Sequence, residues 1–551
     1  MKVVIVGATG NHGTAVLRAL HDTPEVTEIV GVARRLPETD QPPYEGVEWH
    51  SIDIAAATTA EDAVTALTDV FSGADAVIHL AWLIQPNSRR ELLRRVNVDG
   101  TERVGRAVVE AGVPHLIVAS SVGAYSPDAA RSGGGEPPLR DESWSTDGID
   151  SSHYSVDKAA QEDVLDQLES EHPDITVTRL RPALTFQGDA GSEIQSYFLG
   201  DMVPVQALRA GKLPALPVPK GLRLQAVHAD DLGRAYAAAV LKKVGGAFNI
   251  CADDVLGPQE LADIVDHGRF LELPPAVVRA GLATAHKAGT VPADAGWLDM
   301  GMEVPLMDNS RAATELGWRA QVSAADALTE LLEGMIEGRG LPSPPLRPRD
   351  KDELRHPAVG ERTGEGADSA AGAGEDTDED RIPERYTRDL LSLYLSDHLT
   401  GATAGVNRIE RMADDYVDTP VFAELSTVAD EIRADRELLR NIIEDLGLAR
   451  RPYRQAVAWV GERVGRLKLN GRVLERSPMT MLLEVELMRS AVAGKLGCWE
   501  TLREHAPDLD LDRQVFEDLI AASHRQLETL ERVHAYAHTR ALRDDRDTYW
   551  D

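Results

Sequence analysis

Tyr154 and Lys158 are the residues of this sequence whose types and spacing point most directly to chemistry. They lie four positions apart, so a helix would carry the phenol and the ammonium group on one face. A nearby positive charge lowers the pKa of a phenol and makes it a usable proton donor or acceptor. The pair therefore predicts proton chemistry, although a Tyr and a Lys at this spacing also occur on exposed helices without function.

A glycine-rich turn near the start of the chain points to a nucleotide. The apolar run Lys2–Val6 leads directly into Gly7-Ala-Thr-Gly10-Asn-His-Gly13. This spacing is typical of a buried strand that turns sharply into a helix, where glycine lets the backbone approach a pyrophosphate and the helix N-terminus binds it. The motif predicts a dinucleotide site, and its alternative is an ordinary strand-to-helix connection.

Two serines end a later segment that also reads as a buried strand. Residues 116–119 are apolar and are followed by Ser120 and Ser121. Ligands collect beyond the carboxyl ends of the strands in an open parallel sheet. We therefore expect the hydroxyl of Ser121 to converge with Tyr154 and Lys158.

With these motifs in this order, residues 1–340 resemble the extended short-chain dehydrogenase/reductase family of NAD(P)-dependent epimerases, dehydratases and reductases. The resemblance implies an α/β Rossmann-type fold, a doubly wound parallel sheet with a small substrate lobe mainly after residue 182. Further segments match the family at Asp53, His79–Trp82, Asn97, Arg181–Pro182 and Val227–Asp231. Two departures, Trp82 and Ala124-Tyr125-Ser126, lie near the expected substrate pocket and weaken a specific claim for sugar-nucleotide epimerisation.

The resemblance also implies the roles of individual residues. Tyr154 would exchange a proton with a substrate hydroxyl or carbonyl, Lys158 would bind the nicotinamide ribose, and Ser121 would orient the substrate oxygen. The predicted catalytic residues are Ser121, Tyr154, Lys158 and Asn97. The predicted cofactor-binding residues are Gly7, Thr9, Gly10, Asn11, His12, Gly13, Arg34, Arg35, Asp53, Ile54, Leu80, Ala81, Trp82, Lys158 and Pro182.

The end of the second predicted strand bears on the choice of cofactor. Residues 28–32 are followed by Ala33, Arg34 and Arg35. NAD-preferring relatives usually carry an acidic residue here that takes both ribose hydroxyls. In this chain no carboxylate would repel a 2′-phosphate, and two guanidinium groups could bind one. NADP is therefore favoured over NAD, and the alternative is that the arginines simply face solvent.

Composition limits the partners and the compartment. The chain has 551 residues, 43% of them hydrophobic, and a net charge of −33. So acidic a protein is not expected to bind nucleic acid or an anionic membrane. We recognise no signal sequence and no apolar run long enough to cross a bilayer. The two cysteines, Cys251 and Cys498, fall in different predicted modules, so a cytoplasmic protein without a structural disulfide is expected.

A change of composition marks a domain boundary. Residues 341–384 are rich first in proline and then in Gly, Ala, Ser, Glu and Asp, which predicts a disordered acidic linker. Residues 385–551 show apolar positions at three- and four-residue spacing, which is typical of helices. The predicted helices are 386–416, 420–446, 478–502 and 511–542, with a short piece at 453–466 in the long connection.

Four long helices with one long connection imply an all-α four-helix bundle of ferritin-like topology. A di-iron site in that architecture requires a Glu-x-x-His motif on two helices, and only Glu531-Arg-Val-His534 supplies one. The side chains that could form a smaller site are His398, Glu484, Glu531, His534 and His538. The favoured alternative places His534 and His538 at the edge of a buried apolar stripe, so no metal is predicted.

Three functions are compatible with these observations. The first is an NADP- or NAD-dependent oxidoreductase that acts on a small carbonyl or hydroxyl substrate, with the bundle as an oligomerisation or docking module. The second is an epimerase or dehydratase that retains NAD(P) and acts on a nucleotide-activated sugar. The third is a non-catalytic redox-sensing scaffold, which has no need of an intact set of Ser121, Tyr154 and Lys158. The resemblance also implies a homo-oligomer.

Overall fold

The chain folds into two compact units, Met1–Asp350 and Lys351–Asp551. A computed structural model describes the residues in the ranges 1–55, 60–84, 90–132, 137–199, 215–287, 291–348, 382–383, 385–416, 419–448 and 478–541. The predicted helical piece at 453–466, the residues 349–381 and 384 of the predicted linker, and residues 542–551 lie outside the described residues.

A parallel sheet of seven strands forms the centre of the first unit. The strands of the unit, numbered along the chain, are β1 (Lys2–Val6), β2 (Glu28–Ala33), β3 (Glu48–Ser51), β4 (Ala76–His79), β5 (His115–Ala119), β6 (Leu139–Arg140), β7 (Thr176–Pro182), β8 (Leu184–Phe186), β9 (Leu216–Pro219), β10 (Ala226–His228), β11 (Gly246–Ile250), β12 (Phe270–Leu273) and β13 (Leu306–Met307). The spatial order of the sheet is β11-β7-β5-β4-β1-β2-β3. The winding reverses between β1 and β4, and open α/β sheets bind ligands at such a switch point.

Helices cover both faces of this sheet. The helices of the unit are α1 (Asn11–His21), α2 (Ala60–Phe71), α3 (Arg90–Arg94), α4 (Gly100–Ala111), α5 (His153–Glu171), α6 (Gly191–Ile194), α7 (Ala229–Lys242), α8 (Pro258–Val265), α9 (Pro275–Lys287), α10 (Ala295–Glu303) and α11 (Ala324–Glu337). Side chains of β1 alternate between two apolar cores: Val3 and Ile5 pack with residues of α1 and α7, and Val4 and Val6 pack with residues of α2, α4 and α5. The predicted parallel Rossmann-like sheet is confirmed.

A smaller lobe is built from short strand pairs beside the sheet. β8 pairs with β10, β9 with β12, and β6 with β13. The last pair joins residues 139–140 to residues 306–307, so the lobe also recruits a strand from before β7. The predicted lobe, placed mainly after residue 182, therefore has one contributor from the first half of the unit.

The first unit continues past the predicted boundary at residue 340. Leu346 is fully buried, and its carbonyl O accepts a hydrogen bond of 2.6 Å from the backbone N of Leu341. The hydroxyl of Ser343 donates to the carbonyl O of Thr9 at 3.0 Å. Residues 341–348, which the sequence assigned to the linker, thus pack against the first unit.

The described part of the second unit is helical, as predicted. Its long helices are α12 (Arg388–Asp415), α13 (Phe422–Asp445), α14 (Pro478–His505) and α15 (Arg513–His538). Two apolar clusters hold them together, one around Ile409, Leu425 and Val485, the other around Leu395, Ile443 and Trp499. Each cluster takes residues from more than two helices, so the helices depend on one another for burial.

We predict that residues 1–348 fold on their own and that residues 1–340 form a weaker domain. Removing residues 341–348 takes away the buried side chain of Leu346, which should cost roughly 2–5 kcal/mol in the free energy of unfolding. Urea unfolding of both fragments, followed by circular dichroism, measures the difference. Leu346→Ala in the longer fragment is the matched control, because it removes the same side chain without shortening the chain. Equal stability of the two fragments, or an insoluble 1–348 fragment, would contradict the prediction.

Candidate active site

The turn after β1 is fixed by two of its predicted glycines. Gly7 has a φ of +92°, and a Cβ added there would lie 2.6 Å from the backbone N of Ala81, just beyond β4. A Cβ at Gly13 would lie 2.5 Å from the carbonyl C of Ala8. Neither position has room for a side chain, so the two glycines permit the close approach of β1, β4 and the start of α1.

Gly10 differs, because packing within the described protein does not require a glycine there. The nearest described atom to an added Cβ would be the carbonyl O of Gly7, at 4.0 Å. Gly10 is the N-cap of α1, and the first turn of this helix has neither a side-chain cap nor an acidic residue. Backbone N–H groups at a helix N-terminus attract anions. The turn therefore fits a pyrophosphate in both shape and charge.

Other residues of the turn contact later parts of the first unit. The side-chain O of Asn11 accepts a hydrogen bond of 2.6 Å from Gln187, and the carbonyl O of Thr9 is bound by Ser343. Burial and the positive charge of Lys158 lower the pKa of His12 to about 4, so its ring is neutral at pH 7. Gly7 lies against Ala81, and the ring of the next residue, Trp82, lies 3.4 Å from Nζ of Lys158, so the turn and the Tyr-Lys motif share one region of the protein.

Arg34 and Arg35 follow β2 and are both half-buried. The carbonyl O of Arg34 accepts a hydrogen bond of 3.1 Å from Ser51, which fixes the backbone at this point. Burial raises the pKa of Glu193 to about 7, although the charge of Arg35 opposes the rise. Asp53 accepts a hydrogen bond of 2.9 Å from the backbone N of Ala55 and thus stabilises a local turn.

The segment after β4 is held by Asn97. The backbone N of Leu80 donates to the carbonyl O of Val6 at 2.7 Å, which continues the sheet by one residue. The side chain of Asn97 is buried and bonds both backbone groups of Leu83, accepting at 2.7 Å and donating at 2.9 Å. Asn97 was predicted to be catalytic; in the structure its amide positions the chain next to Trp82.

Tyr154 and Ser121 meet at the carboxyl end of β5. Burial raises the pKa of Tyr154 to about 12, and a hydrogen bond with Ser121 partly offsets the rise. The ring of Tyr154 lies against Gly123, where an added Cβ would come within 2.8 Å of its Cε1. Ser121 also accepts a hydrogen bond of 3.0 Å from the backbone N of Gly123. The serine hydroxyl is therefore oriented by the same turn that the ring of Tyr154 contacts.

Lys158 lies one turn after Tyr154 on α5 and is buried. Its Nζ donates to the carbonyl O of Ala119 at 2.7 Å and to the side-chain O of Gln161 at 3.0 Å. The same Nζ lies 3.4 Å from the centre of the Trp82 ring, a cation–π contact. Burial lowers the pKa of Lys158, and the negative charges of Glu162 and Asp157 act against that change.

Aromatic side chains surround the phenol of Tyr154. The ring of Tyr154 lies 5.8 Å from that of Trp82 and 4.9 Å from that of Trp297, which α10 contributes. Phe198 contacts Trp297 in turn, with 4.8 Å between the ring centres. The cavity bounded by Trp82, Tyr154 and Trp297 has a volume of about 10 Å³, enough for one water molecule at most. This cavity is therefore too small for a substrate.

A buried ionic network lies beneath the pair. Glu162 of α5 accepts hydrogen bonds from the guanidinium groups of Arg181, at 2.8 and 3.0 Å, and Arg179, at 3.0 Å. The hydroxyl of Ser120 donates to the same carboxylate at 2.5 Å. Arg181 also donates to the phenol O of Tyr125 at 3.0 Å. The network therefore ties α5, which carries Tyr154 and Lys158, to the ends of β5 and β7.

The remaining predicted motifs make contacts that hold the first unit together. Pro182 ends β7 and pairs with Ile250 of β11 in the sheet. Within the Val227–Asp231 segment, Nε2 of His228 lies 3.0 Å from a carboxylate O of Glu330. Asp231 is fully buried and accepts hydrogen bonds from the backbone N–H groups of residues 321 and 322. This segment therefore joins the sheet to the C-terminal part of the first unit.

Sequence analysis did not identify Glu162 and Trp297 as members of the site. Glu162 follows Gln161 in an ordinary helical pattern. The one feature of the sequence that could have indicated its role is that it lies four positions after Lys158, on the same face of the helix. Trp297 is far from Tyr154 in the chain and is brought close because α10 packs tightly there: a Cβ at Gly296 would lie 2.5 Å from the carbonyl O of Ser151. Only the fold brings these residues together.

Residues 3–251 match the NAD dependent epimerase/dehydratase family. A protein of Mycobacterium tuberculosis is 32% identical over 121 residues, covering 22% of this chain and 12% of the relative. The NAD-dependent glucose-6-phosphate dehydrogenase of Haloferax volcanii is 31% identical over 191 residues, covering 32% of this chain and 66% of that enzyme. These matches therefore span between 12% and 66% of the relatives' length.

Solved structures of similar chains include two complexes with NAD. MoeE5 in complex with UDP-glucose and NAD has a TM-score of 0.43 at 20% identity, over 61% of this chain and 98% of that one. The dTDP-glucose 4,6-dehydratase DesIV of Streptomyces venezuelae has a TM-score of 0.44 at 19% identity, over 61% of this chain and 96% of that one. The match of residues 3–251 agrees with the predicted class of enzyme, an NAD(P)-dependent oxidoreductase or epimerase/dehydratase.

In the described part of the second unit, the side chains that could hold a metal ion do not form a site for one. Among the described residues, no group of three or more His, Cys, Asp or Glu side chains is arranged to hold a metal ion. Nε2 of His534 lies 3.4 Å from a carboxylate O of Glu486, and Glu531 lies 3.8 Å from Arg489. His398 instead contacts the ring of Tyr394.

Over the part of the chain that the structure describes, no helix is both long and apolar enough to span a membrane.

We predict that Glu162→Gln destabilises the first unit and removes part of its sensitivity to acid. Burial alone would raise the pKa of Glu162, but the hydrogen bonds and charge of Arg181, with Arg179 and Ser120, lower it to about 2. A carboxyl whose folded pKa lies below its unfolded value stabilises the fold above the unfolded value, near 4.3, and loses that effect as the pH falls toward the folded value. Removing the charge at pH 7 should cost about 3–5 kcal/mol, because the buried Arg181 loses its carboxylate partner and Arg179 keeps only Asp166 and Glu169.

Urea unfolding of the full chain between pH 6 and pH 3, followed by tryptophan fluorescence, measures both effects. The variant should lose less stability than the wild type as the pH falls below about 4.3. Glu171→Gln is the matched control, since Glu171 lies on the same helix and is exposed. A variant that is as stable as the control, or an unchanged dependence on pH, would contradict the role given to Glu162.

Proposed function

We propose that the first unit is an NAD(P)-dependent oxidoreductase that transfers hydride to or from a small carbonyl or hydroxyl substrate. The observation that carries the proposal is the contact of the Tyr154 ring with Gly123, in the turn that orients Ser121, one helical turn from the buried side chain of Lys158. The glycine turn at the switch point of the sheet supports a dinucleotide at the same edge. Two relatives from Haloferax volcanii, a glucose-6-phosphate dehydrogenase and an L-arabinose 1-dehydrogenase 31% identical over 120 residues, are dehydrogenases by name.

The proposed proton relay follows from the chemistry of these side chains. When bound, a nicotinamide cofactor would supply or accept the hydride. With a pKa of about 12, the phenol of Tyr154 is protonated at neutral pH and can donate a proton to the oxygen of a carbonyl as it is reduced. The hydroxyl of Ser121 would orient that oxygen. Lys158, buried beside the phenol, would stabilise the phenolate that remains.

The aromatic surroundings of Tyr154 favour a compact, mostly apolar substrate over a nucleotide-activated sugar. Trp82 and Trp297 pack directly against the phenol. Two polar side chains near it are already engaged, because Asn97 bonds Leu83 and Asp157 forms a bidentate pair with Arg90 at 2.7 and 3.1 Å. Sugar hydroxyls that lose water need hydrogen-bond partners, and these two groups would not supply them. The alternative, an epimerase or dehydratase, is favoured by the name of the family that residues 3–251 match.

NADP is the cofactor we propose for this site, with NAD as the alternative. The support is electrostatic. NAD-preferring proteins usually carry an acidic residue after β2, whose carboxylate binds both ribose hydroxyls, and this chain has Arg34 and Arg35 there instead. Asp53 does not change this preference for NADP, since its carboxylate accepts a hydrogen bond from the backbone N of Ala55.

For the second unit we propose a ferritin-like four-helix bundle that serves as an oligomerisation or docking module of a homo-oligomer. The support is the set of four long described helices with two shared apolar clusters. The third reading, a redox-sensing scaffold without catalysis, would leave the buried Tyr154–Ser121–Lys158 arrangement without a use.

Tyr154→Phe should abolish turnover and leave cofactor affinity nearly unchanged. The substitution removes the proton donor without touching the glycine turn, and a general acid contributes roughly 10²–10⁴ to the rate. NADPH oxidation against a panel of small aromatic and aliphatic aldehydes and ketones measures turnover, and fluorescence titration with NADPH measures affinity. Tyr386→Phe is the control, since its phenol bonds Asp508 in the second unit at 2.8 Å. Wild-type turnover in the Tyr154 variant would refute the catalytic assignment.

The wild-type protein should bind NADPH more tightly than NADH, and Arg34→Glu with Arg35→Glu should reverse the order. Two lost contacts to a 2′-phosphate correspond to roughly a tenfold or larger change in Kd. Titration of nucleotide-free protein measures both affinities, after denaturation of the purified protein has identified any nucleotide it retained. Retained NAD(P) would favour the epimerase or dehydratase alternative. An unchanged NADPH affinity in the double variant would remove the two arginines from the cofactor site.

A further inference from the structure

Residues 341–346 form a compact turn near the end of the first unit, and we name this turn the strap. The backbone N of Ser343 donates to the carbonyl O of Leu341 at 2.7 Å, and the backbone N of Leu346 donates to that of Ser343 at 3.2 Å. Gly340 permits the turn, because an added Cβ there would lie 2.3 Å from the carbonyl O of Leu346. Since Leu346 is fully buried, the strap has a fixed place on the first unit.

The strap contacts the two loops that follow β1 and β2. The side chain of Ser343 is 1% exposed, and its hydroxyl donates to the carbonyl O of Thr9 at 3.0 Å. The backbone N of Glu38 donates to the carbonyl O of Pro342 at 2.9 Å. In dinucleotide-binding folds the loop after β1 holds the pyrophosphate, and the end of β2 meets the adenosine ribose. The strap therefore joins the two loops that would hold the ADP half of the cofactor.

The hydrogen bond from Ser343 acts on one peptide group of the glycine turn. Among the described residues, Pro42–Pro43 is the one cis peptide, so the Thr9–Gly10 peptide is trans. In a trans peptide the carbonyl O and the N–H point in opposite directions. A donor that fixes the carbonyl O of Thr9 therefore also fixes the direction of the N–H of Gly10. It polarises the same peptide as well, which makes this N–H a better donor.

The N–H of Gly10 is available to an anion. It has no hydrogen-bond partner among the described residues, and Gly10 is only half-buried. Gly10 is also the N-cap of α1, where the helix dipole favours negative charge. Ser343 bonds the opposite end of the peptide, so its influence on a bound anion would pass through Gly10.

We propose that Ser343 is a positioning residue of the cofactor site, because its hydrogen bond to Thr9 directs the N–H of Gly10 toward the pyrophosphate of a bound dinucleotide. The strap, which follows α11 and lies beyond the predicted domain boundary, is then part of that site. This inference rests on the function proposed for the first unit. Because NADPH and NADH share the pyrophosphate, Ser343 affects both by the same factor, whereas Arg34 and Arg35 discriminate between them.

The first measurement is a titration of the nucleotide-free full chain with NADPH and with NADH. Ser343→Ala should raise both Kd values roughly three- to tenfold, which is the effect of about one hydrogen bond, and leave their ratio unchanged. Thr23→Val is the matched control, since the buried Thr23 hydroxyl also donates to a backbone carbonyl, that of Ala19 at 2.7 Å, at the other end of α1. The control should bind both cofactors as the wild type does.

Thermal unfolding checks that both variants are folded. Ser343→Cys keeps the volume of the side chain and has only a weak donor, so it replaces the alanine variant if that one is unfolded.

The second measurement observes the peptide directly and does not respond to a general loss of stability. Threonine labelled with ¹³C at the carbonyl, together with ¹⁵N-glycine, selects the Thr-Gly pairs of the chain, which are Thr9–Gly10, Thr363–Gly364 and Thr400–Gly401. Gly10→Ala removes the first signal and so assigns it. In Ser343→Ala the Thr9 carbonyl signal should move upfield, since a hydrogen bond to a carbonyl O deshields its carbon. In the wild type, NADPH should move the Gly10 N–H signal downfield.

The outcomes separate this inference from the function on which it rests. A wild type that binds neither NADPH nor NADH would refute the proposed cofactor site, and the role of Ser343 with it. A wild type that binds them, together with a Ser343→Ala variant that is weakened no more than Thr23→Val, would overturn the role of Ser343 alone. A Gly10 N–H signal that does not respond to bound NADPH would overturn it as well.

Discussion

The carboxylate of Glu162 is the group on which the geometry of the candidate active site depends. A buried charge is tolerated only when it is paired and hydrogen-bonded, and Glu162 meets this condition with Arg181, Arg179 and Ser120. Because Glu162 and Lys158 share α5, the same pairing fixes the rotation of the helix that carries the phenol. Ser120 donates a hydrogen bond to the same carboxylate, which also fixes the position of the adjacent residue, Ser121. The network therefore positions the segments that carry Tyr154 and Ser121 without touching either hydroxyl.

The sequence predicted the sheet and the glycine turn because both depend on local patterns. An apolar strand followed by Gly7, Gly10 and Gly13 specifies a strand, a turn and a helix within one stretch of chain. The alternation of Val3 to Val6 between two apolar cores follows from the period of a strand. What the pattern could not reveal is that Gly7 and Gly13 are required by packing against Ala81 and Ala8, whereas Gly10 is not.

The parts of the site that depend on distant segments could not be predicted. Glu162 has the local sequence of a solvent-exposed helical residue, and only its proximity to Arg181 of β7 makes it a buried anion. Trp297 reaches Tyr154 because α10 packs against the start of α5. Asn97 was recognised by its motif, but its role in bonding Leu83 follows from a tertiary contact. Each of these outcomes is set by non-local packing that overrides a local signal.

Trp82 has two opposing effects on the site, because it contacts the ammonium of Lys158 and also narrows the cavity beside Tyr154. Its ring covers the ammonium of Lys158 at 3.4 Å, which stabilises the charge of a lysine that burial would otherwise neutralise. The same ring narrows the cavity beside Tyr154 to about 10 Å³. A movement of Trp82 that widens this cavity would separate its ring from the ammonium of Lys158. The cation–π energy lost in that movement would have to be recovered from contacts with the incoming molecules.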